Sequence, residues 1–224
     1  MAIEIYLIRH GETDANKNGT HLVSGRCPTA QLTENGITQA QTLGRYLKQK
    51  GIKFDKAYTS PLIRTKQTAQ QCLSTICGEV EQAEELTELT LGEWEGKPKN
   101  EVYTPEIKAE LNKNNWNYKA PKGESQKEVY ERVRYWIEKN VTTESNENKK
   151  IGIFTHGLAI KMFLAGLFNL DKSTAYTIPI DNTSITKLKY EKGNWEELTR
   201  NNTEHLQNKI SKETPPCSLF PYKK

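Results

Sequence analysis

Two histidines and two arginines stand where they could act together on one anion. Arg9-His10-Gly11 ends one apolar run, Ser60-Pro61 with Arg64 follows a second, and His156-Gly157 ends a third. Arginine presents a planar fork of donors matched to phosphate oxygens and does not lose its charge. Two of them therefore neutralise a dianion and stabilise the charge spread over its equatorial oxygens during transfer. Histidine, partly neutral near physiological pH, offers phosphorus a lone pair that Lys and Arg cannot. A glycine after each histidine admits close approach of backbone to a ligand. Singly, each residue has a plainer reading as a satisfied polar histidine or a solvated arginine. Their joint placement at three strand ends describes a rim for a phosphate monoester.

The elements that would position these groups are legible. Ile3 to Ile8 has the length and apolar character of a strand buried on both faces. Ile37, Ala40, Leu43 and Leu47 recur at helical spacing and are closed by Gly51. Phe54 to Thr59 reads as a second strand, and Ser60-Pro61 as a helix start with Ser as N-cap and Pro in the first turn. Leu62, Thr65, Ala69, Cys72, Leu73 and Ile76 continue that helix along one face. Residues 97–122 read as an inserted flap with one short helix around Ile107 to Leu111. Ser125 to Glu128 forms a capping box before the helical face of Val129, Val133, Trp136 and Ile137. Ile151 to Thr155 is another short strand, followed by an apolar helix from Leu158 to Phe168. Ser184 to Tyr190 and Asn194 to Thr199 alternate around Lys192-Gly193 as a hairpin would. Strands alternating with helices predict an α/β fold with a mostly parallel sheet. In such sheets ligands bind beyond the carboxyl ends of the strands, where helix N-termini point their amides at anions.

The 224 residues suit one domain, expected over 1–200, with a polar tail over 201–224 that carries Pro215-Pro216. Net charge is +4, but no run of five or more basic residues occurs, which argues against a nucleic-acid partner. Cys27, Cys72, Cys77 and Cys217 have no zinc-binding spacing and read as reduced thiols. The opening apolar stretch is short and interrupted by Glu4, unlike a signal peptide, and no run approaches the ~18 residues of a membrane span. A cytoplasmic location is the expectation. No face of the apolar pattern marks a subunit contact.

Six ordered motifs carry a resemblance that spans residues 3 to 190. They are Leu7-Ile8-Arg9-His10-Gly11-Glu12-Thr13 with Asn16, then Ser24-Gly25 with Leu32-Thr33-Glu34-Asn35-Gly36 and Gln39-Ala40, then Thr59-Ser60-Pro61-Leu62-Ile63-Arg64-Thr65 with Gln67-Thr68-Ala69. Leu86-Thr87-Glu88 with Gly92-Glu93-Trp94-Glu95-Gly96, Gly123-Glu124-Ser125 and Phe154-Thr155-His156-Gly157 complete the set. Together they resemble the histidine phosphatase superfamily, with its phosphoglycerate mutase-like, three-layer α/β/α fold. The resemblance implies that His10 is the nucleophile of a phosphohistidine intermediate, that Arg9, Arg64 and His156 bind phosphoryl oxygens, and that Glu88 is the proton donor. Composition alone does not select Glu88 from its acidic neighbours Glu81, Glu84, Glu85, Glu93 and Glu95. Asn16, Ser24, Gly25 and Gly157 would complete the phosphate pocket, with neither metal nor cofactor.

Two enzymatic branches share this apparatus, and the resemblance separates them. Mutases of the family usually carry a Tyr where this chain has Leu91, an Arg-Arg pair in the flap that residues 97–122 lack, and an Asn where Leu158 stands. The chain thus resembles the broad-specificity phosphatases, and next the alpha-ribazole phosphatase type, acting on small phosphate monoesters. The alternatives are a cofactor-dependent phosphoglycerate mutase or a non-catalytic phosphoester-binding protein. The second is disfavoured because His10, Arg9, Arg64, Glu88 and His156 are all present. Trp94 reads as packing against the flap.

Overall fold

In the computed structural model, which describes residues 2–17, 19, 21–74, 80–143 and 148–207, the first apolar run is strand β1 (Ala2–Arg9). A single turn, α1 (Asp14–Lys17), precedes helix α2 (Glu34–Gln49), which Thr33 caps by accepting the Gly36 amide. Strand β2 (Lys56–Thr59), helix α3 (Ile63–Leu73) and strand β3 (Val80–Gln82) follow. The flap contains α4 (Lys99–Val102) and α5 (Pro105–Asn114). Then come α6 (Gln126–Asn140), β4 (Lys149–Thr155) and α7 (Gly157–Leu167). The hairpin β5 (Ile185–Glu191) and β6 (Asn194–Asn202) and the turn α8 (Glu204–Gln207) close the described chain.

The six strands form one sheet in the order β3-β2-β4-β1-β5-β6, with β1, β2, β3 and β4 parallel, β5 antiparallel to β1 and β6 antiparallel to β5. Side chains alternate across a strand, so β1 feeds two cores. Ile3, Ile5 and Leu7 pack with α6 and α7, while Tyr6 and Ile8 pack with α2 and α3. The result is a helix–sheet–helix sandwich, the expected three layers. A third cluster gathers Val23, Trp94, Val102 and Ala120 beneath the flap, where Trp94 packs as its bulk suggested. Among the described residues no helix is long and apolar enough to cross a membrane.

Several boundaries differ from expectation for local reasons. Ser60 is not the N-cap of α3: its hydroxyl lies 2.8 Å from His156 Nε2 and accepts the Leu62 amide at 3.4 Å, while Leu62 holds the cap position with no side-chain bond of its own. The flap has two helices rather than one, and α5 starts at a Thr104 cap followed by Pro105, a start signal present in the sequence. Strand β3 carries no apolar pattern, since Glu81 and Gln82 are exposed on the sheet edge. Residues 201–207, expected in the tail, pack on the fold: His205 is fully buried and lies 5.9 Å from the Tyr46 ring. Ile76, Cys77, Cys217 and the tail beyond 207 lie outside the described residues.

The capping box of α6 is intact. Ser125 Oγ accepts the Glu128 amide at 3.2 Å and Glu128 Oε2 accepts the Ser125 amide at 2.7 Å. Ser125→Ala therefore costs about 1 kcal/mol. Urea titrations will read this as a lower midpoint with an unchanged slope, and an unshifted midpoint would show the cap to be idle.

Candidate active site

Because β1, β4 and β2 run parallel, their carboxyl ends meet on one edge. Arg9 is opposite Thr155 and Thr59 opposite Phe154. The next amides continue the ladder, His10 N to Thr155 O and Ser60 N to Phe154 O, each at 3.0 Å. His10 and His156 are thereby placed with ring centroids 5.4 Å apart, edge to face.

His10 Nδ1 lies 2.8 Å from the Gly11 carbonyl, which can only accept, so Nδ1 carries the proton. Burial, then the Arg64 and Arg9 charges, hold the imidazole well below its usual pKa of 6.5. A neutral ring protonated at Nδ1 leaves Nε2 with a free lone pair. Gly11 itself is needed for packing rather than for the ligand, since a Cβ there would come 2.6 Å from the Gly36 carbonyl oxygen. Its amide donates to Thr68 Oγ.

Arg9 and Arg64 flank His10 in a cavity of about 870 Å³. Arg9 Nη1 donates to the Ile180 carbonyl at 2.7 Å, and Arg9 Nε is buried without a hydrogen-bond partner. Arg64 is 5% exposed and donates to the carbonyls of Cys27 and Gly25. Both guanidiniums are anchored by neutral carbonyls, so their charge remains for a ligand.

Asn16, Ser24, Gly25 and Gly157 line the same cavity. The Asn16 side-chain oxygen accepts from Thr13 and Asn182, which leaves its NH2 group for an anion. Gly25 has φ +45, and a Cβ there would come 2.2 Å from Glu95 Oε1. That oxygen also accepts the Arg26 and Leu91 amides and the Thr90 hydroxyl, tying the 24–26 loop to the 90–95 segment. His156 is completely buried and does not line the cavity; it stands behind His10 with Nδ1 lacking a partner. Burial, Arg64 and then His10 hold its pKa well below the usual value.

Glu88 reaches the rim as a cap for α7. Its carboxylate accepts the Leu158 and Ala159 amides, each at 3.2 Å, and its own neighbour Leu89 at 2.9 Å. These are the open donors of a helix N-terminus, which has no cap of its own because the His156 side chain makes none. The Glu88 carbonyl is clamped from behind by Arg26 Nε at 2.7 Å and Arg132 Nη2 at 3.2 Å. Both arginines grip the Glu124 carboxylate, 12% exposed, at 2.6 and 2.7 Å.

The sequence reading assigned no role to Ser60 beyond a cap, none to Arg26 or Arg132, and none to Lys161. Half-buried Lys161 lines the cavity from α7 and donates to the Tyr176 carbonyl at 2.8 Å. No spacing rule marks contacts between residues so distant in the chain; the run Gly123-Glu124-Ser125 was the one available signal. Among the described residues no cluster of three or more His, Cys, Asp or Glu could hold a metal ion.

A family model described as the histidine phosphatase superfamily (branch 1) matches residues 5–203. The chain is 30% identical over 210 residues to a broad-specificity phosphatase of Saccharomyces cerevisiae, which spans 91% of this chain and 87% of that protein. It is also 30% identical over 182 residues to a 2,3-bisphosphoglycerate-dependent phosphoglycerate mutase of Parvibaculum lavamentivorans, 79% of this chain and 85% of that one. The solved structure of a phosphoserine phosphatase from Entamoeba histolytica, in complex with 3-phosphoglyceric acid, matches with a TM-score of 0.77 at 29% identity, covering 91% of this chain and 99% of that chain.

The buried histidines make stability depend on pH. His10 and His156 have folded pKa values well below 6.5, and burial brings His205 to about 4. The unfolded chain thus takes up protons first as pH falls, and stability is lost from pH 6.5 downward. The expected slope is about 1.4 kcal/mol per pH unit for each such histidine. Urea unfolding between pH 6.5 and the ordinary carboxylate range will show the decline, and His205→Gln will flatten it by about one proton. A flat profile in the parent protein would contradict the burial of these rings.

Proposed function

The chain belongs to the histidine phosphatase superfamily, and from that premise we propose that it is a metal-independent phosphomonoesterase that carries the phosphoryl group on His10. The observation that supports this most directly is the hydrogen bond from His10 Nδ1 to the Gly11 carbonyl, which leaves Nε2 as a bare nucleophile between two guanidiniums. Arg9, Arg64 and Asn16 receive the phosphoryl oxygens, with Ser24, Gly25 and Gly157 shaping the pocket, while the buried His156, outside the cavity lining, supports the His10 ring edge to face. Charge neutralisation rests with arginine, so the reaction needs no metal.

His10 Nε2 attacks phosphorus as the ester P–O bond breaks, and Glu88 in its acid form protonates the departing oxygen. Glu88, now a carboxylate, takes a proton from water as that water attacks the phosphohistidine. The P–N bond breaks, and inorganic phosphate, neutral His10 and protonated Glu88 result.

Hydrolysis is favoured over transfer between hydroxyls because Leu91 and Leu158 line the cavity where the mutases of the family usually carry Tyr and Asn. Small phosphorylated metabolites are the substrates, in keeping with a relative named for phosphoserine and solved with 3-phosphoglyceric acid.

His10→Ala should lower p-nitrophenyl phosphate hydrolysis by at least ~10³-fold, and the parent enzyme should keep full activity in EDTA. Retained activity in the variant would remove the nucleophile; metal-dependent activity would remove the metal-free mechanism. Interconversion of 3- and 2-phosphoglycerate without phosphate release would instead make the protein a mutase.

Glu124 is a positioning residue in this scheme, since it holds the two arginines that clamp Glu88. Glu124→Gln should reduce kcat by ~10-fold or more while KM changes less than ~2-fold, because it misplaces a group needed in the transition state. A matched loss in KM, or no loss in kcat, would show that the clamp serves only the fold.

A further inference from the structure

Of the side chains assigned to the phosphoryl oxygens, Arg9 ends a central strand and Arg64 lies in a helix packed on the sheet. Asn16 instead sits in α1, a single turn with no buried residue. Packing does not fix its side chain there, and an amide that turned over would present an anion with its carbonyl oxygen rather than its NH2 group.

Part of the fixing comes from a residue 166 positions on. The Asn16 side-chain oxygen accepts from Thr13 in its own turn, at 3.3 Å from the amide and 3.1 Å from the hydroxyl, and from Asn182 Nδ2 at 3.2 Å. The other hydrogen of the Asn182 NH2 group goes to the His10 carbonyl at 3.0 Å. That carbonyl can only accept, so it holds the Asn182 amide in one orientation, and the amide joins the α1 turn to the strand ends.

The loop that carries Asn182 is itself held on several sides. The Ile180 carbonyl accepts Arg9 Nη1 at 2.7 Å, and the Asp181 amide and carboxylate pair with the Asn201 side chain at 2.6 and 2.8 Å. Thr183 has φ +56, a left-handed backbone rarely adopted by a β-branched residue, and aims its amide at the Arg9 and His10 carbonyls at 3.1 and 3.3 Å. Its hydroxyl gives its one proton to the Asn182 carbonyl at 2.8 Å, so His205 Nε2, 2.9 Å away, is the donor to that oxygen. Fully buried His205, which the reaction does not use, thereby braces the strained residue next to Asn182.

We propose that Asn182 is a positioning residue for the phosphoryl oxygens: anchored on the His10 carbonyl, it holds the Asn16 side chain with its NH2 group turned to the anion. This rests on the phosphatase reading above.

A double-mutant cycle in the full-length protein tests it with p-nitrophenyl phosphate. Asn182→Ala should lower kcat/KM ~10-fold in the parent, but by only ~2-fold or less in the Asn16→Ala background, because its effect passes through that amide. A residue that served only the fold would cost the same factor in both backgrounds. Asn182→Leu, similar in shape but without a donor, completes the cycle if the alanine variant does not fold. Where Asn16→Ala turns over too slowly, the same two losses are read in the dissociation constant of inorganic phosphate. A ratio between the losses below ~5-fold, or no loss in the parent background, would overturn the inference alone. A parent protein that hydrolysed no phosphate monoester would overturn the phosphatase reading with it.

Discussion

Strands β1 and β4 lie side by side in parallel with Arg9 opposite Thr155, and this register determines whether a site exists. A slip of one residue would turn every side chain of β1 to the other face of the sheet. Ile5 and Leu7 would leave one core as Tyr6 and Ile8 left the other, so the cores on both faces resist it. The same apolar alternation that stabilises the sandwich therefore holds two imidazoles, 146 residues apart in the chain, edge to face. Chemistry at this edge needs no separate scaffold.

Gathering Arg9, Arg64 and two buried histidines in one place concentrates positive charge in a region of low dielectric. The protein manages this in two ways. Both histidines are held neutral by burial and by their cationic neighbours, and the arginines are oriented by carbonyls of Ile180, Cys27 and Gly25 rather than quenched by bound carboxylates. Glu88, an acidic side chain of the cavity lining, is directed to the amides of α7 instead. Fixed guanidiniums beside neutral imidazoles make the cavity electropositive, which suits the anionic substrate proposed for it.

Most of the architecture was legible in the sequence because it rests on local pattern. The buried run of β1, the helical faces of α2 and α6, the capping box at Ser125 and the turn at Lys192-Gly193 each express short-range preferences. The meeting of His10, Arg64 and His156 followed from the parallel-sheet rule. Ser60 shows where such reasoning stops: its spacing before Pro61 suits a helix cap, but its hydroxyl, besides accepting the Leu62 amide, meets a partner 96 residues away. Glu88 could be chosen among its acidic neighbours by family resemblance alone, since the α7 amides that single it out come from distant sequence. The clamp of Arg26, Glu124 and Arg132 was hidden for the same reason, and the edge strand β3 because Glu81 and Gln82 give it no apolar pattern.

Glu95 joins the Gly25 loop to the segment that leads back to Glu88, and the flap begins just beyond it, with Gly96 and Lys97 pinned to Val23. The Gly25 loop and the segment that carries Glu88 are thereby yoked to each other ahead of the point where the chain departs. The flap is held at both ends, Lys99 N on the His21 carbonyl and the Pro121 carbonyl on Glu93 N, so changes between these two joints leave the strand-end residues at their spacing. A strand-end frame joined to its insertion only through such anchors lets the insertion vary in length and content without disturbing the frame.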